Sequence, residues 1–381
     1  MRNPVHIPVS EPRITDADIA SVSDALHSGW ISSAGRHLDA FERSWAAYCG
    51  RAHGIAVTSG TTALELAVEA LDLQPGDEVI VPTFTIISCV LAVLRAGATP
   101  VLVDADPETW CLDAAHVAAR INTRTRAIMP VHIYGHPCAM DALLELAEAH
   151  SLAIIEDAAE AHGAEYETQR TGEPCWQRCG SFGRASAFSF YANKLITTGE
   201  GGMVVTDDEE IAARTRSRRN LGFRSDRRFY HTELGHQYRL TNVQAALGVT
   251  QIARVNELLA RKRWLGAAYT ERLSQHPALE VQTVKSWARP SYWMYGVVLR
   301  ESAPFDAAEL ATRLAIKGVE TRPFFLGMHE QPALRERGLF HGEVYPVAER
   351  LAKRGLYLPS GVGLTDIQLE RVVDAVNAVL G

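Results

Sequence analysis

The runs Val79-Ile80-Val81 and Ala153-Ile154-Ile155 are apolar at every position. A strand with one wet face alternates polar and apolar residues. One that does not alternate is covered on both faces, as in a mainly parallel sheet with helices on either side. Such runs recur from Ile55 onward and take turns with helical patterning. Strands are expected near 55–58, 78–82, 99–103, 126–131, 152–156, 185–190 and 202–206, with helices over 62–71, 85–96, 113–120, 139–150 and 208–215. Helices at 16–28 and 39–49 pack the amino end onto this unit. A long helix near 242–275 then leads to a second lobe, with one clear strand at 292–299 and helices at 306–316 and 363–380. The chain divides into a large α/β domain, 1–255, and a smaller C-terminal α+β domain, 256–381. Its 381 residues are enough for two cores.

Composition excludes several classes. A formal charge of −7 argues against nucleic acid as the partner. No apolar run reaches the roughly 18 residues of a membrane span, and the first residues lack the apolar core of a signal peptide. The protein is expected to be cytoplasmic. Six scattered cysteines suit reduced thiols. Cys175 and Cys179 have a possible metal spacing, but no second Cys/His pair stands nearby, so the segment reads as a surface loop and no metal is expected. There is no Walker loop and no dinucleotide fingerprint.

Three segments carry chemistry, each at the C-terminal end of an expected strand, the edge where open α/β sheets bind ligands. The first is Ser186-Ala187-Phe188-Ser189-Phe190-Tyr191-Ala192-Asn193-Lys194, followed by Gly199-Glu200-Gly201-Gly202. A single lysine held after a buried strand is partly desolvated, its pKa falls, and its amine can act as a nucleophile. The second, Ile154-Ile155-Glu156-Asp157, ends in a carboxylate able to pair with a protonated pyridine nitrogen. Such a charge-assisted bond is typically worth roughly 1.5–3 kcal/mol. In the third, Ser59-Gly60-Thr61-Thr62 turns a strand into a helix whose free N–H groups suit a phosphate. Taken singly, Asp157 and the Ser-Gly-Thr-Thr turn also read as ordinary helix caps.

Together these segments resemble the DegT/DnrJ/StrS family of pyridoxal-phosphate sugar aminotransferases, of aspartate-aminotransferase-type fold (fold type I). The resemblance runs from Gly29-Trp30 to Tyr357-Leu358-Pro359-Ser360-Gly361. It implies pyridoxal 5'-phosphate as cofactor, joined to Lys194 as a Schiff base, with Asp157 on the ring nitrogen and Gly60, Thr61 and Ser189 on the phosphate. Phe84 matches a position whose ring covers one cofactor face, with core packing as the alternative. Glu160 matches a position that contacts the cofactor's O3' oxygen. Many relatives carry Gly-x-Asn before a Tyr-Arg step, the asparagine reaching the phosphate in the neighbouring subunit. This chain has Gly235-His236-Gln237-Tyr238-Arg239, so Gln237 would take that role on a longer stem. His236 reads as a surface histidine or an anion contact. Arg322 and His329 are candidates for substrate contact.

Seven arginines lie between 214 and 228, at 214, 216, 218, 219, 224, 227 and 228. They form either a solvated face or a diphosphate site, for which guanidinium groups are suited. The resemblance further implies a homodimer with shared active sites, a nucleotide-linked keto-deoxysugar as acceptor and an amino acid, glutamate, as donor. Within the family, the resemblance of segments such as Arg354-Gly355-Leu356-Tyr357-Leu358 favours GDP-4-keto-6-deoxymannose, aminated at C4, as the acceptor. A 3-keto-sugar is the alternative. Family members that are sugar dehydratases carry histidine at the lysine position. The intact Lys194, Asp157 and Ser189 also argue against a non-catalytic regulator.

Overall fold

The computed structural model describes residues 6–223, 226–227 and 229–381. Its largest sheet has seven strands in the spatial order His53–Val57, Gly202–Thr206, Ala185–Ser189, Ala153–Asp157, Thr125–Ile128, Glu78–Pro82 and Thr99–Val103. All neighbours are parallel except those of Gly202–Thr206, which runs against both of its partners. The strands of residues 78–82, 185–189 and 202–206 are buried at every position. Helices cover both faces, and fully burying a side chain such as Val81 or Ile155 stabilises the fold by roughly 1.5–3 kcal/mol.

Connectivity brings the chemistry to one edge. Asp157 lies opposite Ala187, and Ser189 opposite Gly202, which also faces Val57. The three strand ends therefore point the same way. Behind them Trp45 is fully buried, with edge-to-face contacts to Phe188 and Phe190, and this fixes the strand that delivers Ser189.

The second lobe is built on a four-stranded antiparallel sheet in the order Leu279–Val281, Tyr295–Leu299, Gly355–Leu358, Arg322–Pro323. Helices Val255–Leu273, Ala307–Ile316 and Asp366–Leu380 share its apolar core. Three expectations need correcting. The long 242–275 helix is two, Asn242–Ala253 and Val255–Leu273, with Arg254 off helical geometry at φ −111° and ψ 6°. The strand expected from 292 begins at Tyr295, because Tyr292 adopts a left-handed φ of 51°. The surface loop at Cys175–Cys179 is instead a hairpin: Glu165–Thr168 pairs with Cys175–Arg178, Ala288–Arg289 adds a third strand, and Cys179 is buried. Among the described residues, no helix is long and apolar enough to cross a membrane.

Candidate active site

At this edge a cavity of about 330 Å³ opens. The strand ends of the large sheet, with the helix start and turns that follow them, contribute Gly60, Thr61, Asp157, Glu160, Ser189 and Lys194 to its lining, and the second lobe adds Trp293, Phe325 and Tyr357.

One wall is the start of the helix Gly60–Glu69. Ser59 caps it, its hydroxyl accepting the Thr62 N–H at 3.2 Å while the Thr62 hydroxyl accepts the Ser59 N–H at 3.0 Å. The first N–H groups of a helix have no partner within it, and here they belong to residues that line the cavity. A Cβ on Gly60 would stand 2.7 Å from the Ser189 Cβ, so only glycine lets the helix end sit flush against Ser189. Thr61 Oγ1 lies 2.8 Å from Ser88 Oγ, which completes a rim of small hydroxyls. The wall has the form of an anion cradle.

Lys194 follows in a turn closed by its own N–H donating to the Tyr191 carbonyl at 2.9 Å. Its Nζ sits 3.5 Å above the Trp293 ring centroid and 3.9 Å from Glu160 Oε1. The Trp293 indole N–H donates to the Asn193 carbonyl at 2.9 Å, which ties the second lobe to the residue before the lysine. Burial lowers the Lys194 pKa, with Glu160 and Asp157 opposing that shift. The amine is thereby brought toward its nucleophilic form.

Two carboxylates face it. Glu160 Oε2 accepts the Tyr134 N–H at 2.7 Å, from a residue held at a left-handed φ of 53°. Asp157 Oδ1 accepts the Ala159 N–H at 3.0 Å, and Oδ2 accepts the Cys89 thiol at 3.2 Å. Burial raises both pKa values, and the Lys194 charge pulls each back. A cationic group entering this cavity would meet two buried carboxyl groups whose charged forms it would favour.

Gly60, Thr61, Asp157, Glu160, Ser189 and Lys194 are thus brought together, while four other candidates lie outside the cavity. Phe84, 1% exposed, packs edge-on to Tyr134 and against Phe324 and Phe325, and Ile86 faces the cavity instead. His329 is buried with both ring nitrogens engaged, by Thr83 at 2.8 Å and Glu349 at 3.1 Å, so it has no nitrogen left for a substrate. Arg322 is exposed and pairs with Glu320 at 2.7 Å. Gln237 is exposed, on a bridge to Asn220 away from this cavity. His236 is no idle surface group: it bonds Glu69 at 3.0 Å and stacks on Tyr238.

Of the arginine run, Arg214 and Arg218 are paired with Asp72, and Arg219 with Glu42. Arg224 and Arg228 lie outside the described residues. Sequence reasoning missed Trp293, Tyr134 and Cys89. The aromatic run Tyr292-Trp293-Met294-Tyr295 was the available signal for the first, but it reads as a strand. No group of three His, Cys, Asp or Glu residues able to hold a metal ion occurs among the described residues.

A family model described as the DegT/DnrJ/EryC1/StrS aminotransferase family matches residues 12–377. The chain belongs to this family. This aminotransferase is 42% identical to the GDP-perosamine synthase of Caulobacter vibrioides over 98% of both chains. It is 40% identical to a dTDP-3-amino-3,4,6-trideoxy-alpha-D-glucose transaminase of Streptomyces venezuelae, over 95% of this chain and 91% of that one. The solved structure of DesV from S. venezuelae matches with a TM-score of 0.88 at 36% identity, covering 99% of each chain.

The enzyme is pyridoxal-phosphate-dependent, and the residues present fit that cofactor. The flush Gly60–Ser189 cradle suits a phosphate, the buried Asp157 a ring nitrogen, and Lys194 an aldehyde carbon.

Proposed function

We propose that this aminotransferase moves the amino group of glutamate to C4 of GDP-4-keto-6-deoxymannose, giving GDP-perosamine. The observation that carries the reaction type is the Lys194 amine, buried between an anion cradle and two carboxylates. Support for the substrate comes from three relatives named GDP-perosamine synthase, 35–42% identical over at least 97% of this chain.

When bound, pyridoxal phosphate supplies the electron sink that lets the donor's α-carbon lose its proton. Lys194 holds the cofactor. Its freed amine would take that proton from the α-carbon and deliver it to the cofactor carbon by which the lysine had held it, work typically worth about 10²–10⁴-fold in rate. Asp157 keeps positive charge on the ring nitrogen. Gly60, Thr61 and Ser189 grip the phosphate, where a helix terminus contributes about 0.3–1 kcal/mol. Glu160 meets the ring oxygen, and Trp293 keeps water from the amine. Gln237 completes the site of a second copy in a homodimer that works in the cytoplasm.

The test is a coupled assay with glutamate and enzymatically generated GDP-4-keto-6-deoxymannose, the product identified by mass and NMR. An amine at C4 supports the proposal. An amine at C3, the position named in the S. venezuelae relative, or no product until another keto-sugar is offered, overturns the substrate while leaving the transamination chemistry of Lys194 in place.

A further inference from the structure

Asp157 is 2% exposed, and among the described residues only one side chain donates to it. That donor is Cys89, wholly buried on the helix Ser88–Arg95. Its Sγ lies 3.2 Å from Asp157 Oδ2 and 3.2 Å from Thr85 Oγ1, and Thr85 in turn lines the cavity. Burial and the neighbouring Asp157 charge push the thiol's pKa well up, so it stays protonated. The direction of the bond is therefore fixed: the thiol donates to the carboxylate, and its sulfur is left to accept from the Thr85 hydroxyl.

We propose that Cys89 is a positioning residue for Asp157: the Thr85–Cys89 chain sets the plane of the carboxylate and leaves most of its negative charge facing the cavity. An S–H group is a weak donor. A hydroxyl in its place would draw off more charge, and a methyl group none. Residue 89 thus governs how strongly Asp157 attracts a cationic ring nitrogen. The other charged groups facing Asp157 are Lys194, beyond the Ala185–Ser189 strand, His132, from the segment that follows the Thr125–Ile128 strand, and Glu160, from the turn after Asp157. They act through space and are unchanged by a substitution at 89.

The inference rests on the pyridoxal-phosphate reading of the site. Its test uses stripped apoenzyme titrated with pyridoxal phosphate across acid to mildly alkaline pH, binding being followed by absorbance and fluorescence. Wild type, Cys89→Ala and Cys89→Ser are compared. Affinity should fall on the acid side as Asp157 takes up a proton. Cys89→Ala should move that limb upward by about one pH unit, and Cys89→Ser should move it downward. The cofactor's own ionisations are common to all three proteins and cancel.

A limb that stays put in both variants, or moves the same way in both, would mean that the thiol only fills space and would overturn the proposal. Cys89→Ser keeps a polar group of similar size, so the comparison survives if the alanine variant folds poorly. Failure of the wild type to take up pyridoxal phosphate at all is a different result, and would overturn the site assignment together with this role.

Discussion

On the two faces of one strand, adjacent carboxylates are treated in opposite ways. Glu156 points away from the cavity and is saturated. It accepts N–H groups from Gly180, Phe182 and Gly183 at 2.7–2.8 Å, the Ser186 hydroxyl at 2.9 Å, and faces His132 at 3.0 Å. These partners, His132 foremost, overcome the cost of burial and hold its pKa down at about 2. Asp157, one residue later on the cavity face, has one backbone donor and a thiol, and burial pushes its pKa up. The saturated group is structural; the undersupplied one keeps capacity for a ligand. Period-two alternation along a strand separates these roles by one residue.

The largest effect tests the cavity face. Lys194→Arg should abolish measurable transamination and the cofactor's covalent retention on borohydride treatment, with the melting temperature close to wild type. Turnover surviving in this variant would sink the assignment of the amine. Next comes the neighbouring pair itself. Glu156→Gln should cost about 3 kcal/mol or more of stability, as breaking a buried hydrogen-bonded pair does. Asp157→Asn should leave the apoenzyme as stable as wild type, yet lower kcat/KM roughly 10- to 100-fold, the loss of one charge-assisted bond. Denaturant titration and steady-state kinetics on both variants would reverse the contrast if the two losses were exchanged.

The pH dependence of stability sharpens the same point. Glu156 titrates lower in the folded chain than in the unfolded one, so its contribution is complete above about pH 4.5 and is lost as the pH falls toward about 2. Asp157 is shifted the other way, so protonating it on acidification favours the folded apoenzyme. Thermal melts in acid should therefore show a loss that is absent from Glu156→Gln and retained in Asp157→Asn. Gly60→Ala is a smaller perturbation, expected to cost about 1–3 kcal/mol through the clash with Ser189 and to weaken cofactor uptake in a titration. Least of all, Arg322→Ala should change stability by less than about 0.5 kcal/mol and leave cofactor binding untouched.

What could be read from the sequence follows from where the information lies. The parallel strands were visible because burial on both faces forces continuous apolar runs, as at Val79-Ile80-Val81. Lys194, Asp157 and the Gly60 turn were visible because strand ends hold polar residues that a core would reject. The hairpin at 165–178 was not, since Glu165-Tyr166-Glu167-Thr168 is only half buried and carries mixed polarity. The break at Arg254 has no glycine or proline to announce it. Trp293 reaches the amine only because Tyr292 turns left-handed and the second lobe docks, neither of which is a local property. Phe84 came from a family match and not from local pattern; it packs in the core, its alternative role, while Ile86 lines the cavity. Past the last strand residue, local pattern does not say which side chain faces in.

The cavity's lining runs from Ser59 to Tyr357. A growing chain emerges amino end first, so Lys194 and Asp157 leave the ribosome long before Trp293, Phe325 and Tyr357. Through that interval the sheet edge has its amine and its acids but no roof. The completed pocket is a late product of folding, formed only when the second lobe has docked. Since a ligand that binds only the native state stabilises it by mass action, capture of the cofactor rewards finished chains alone, and the cell's free cofactor concentration becomes part of what decides how many of them stay folded.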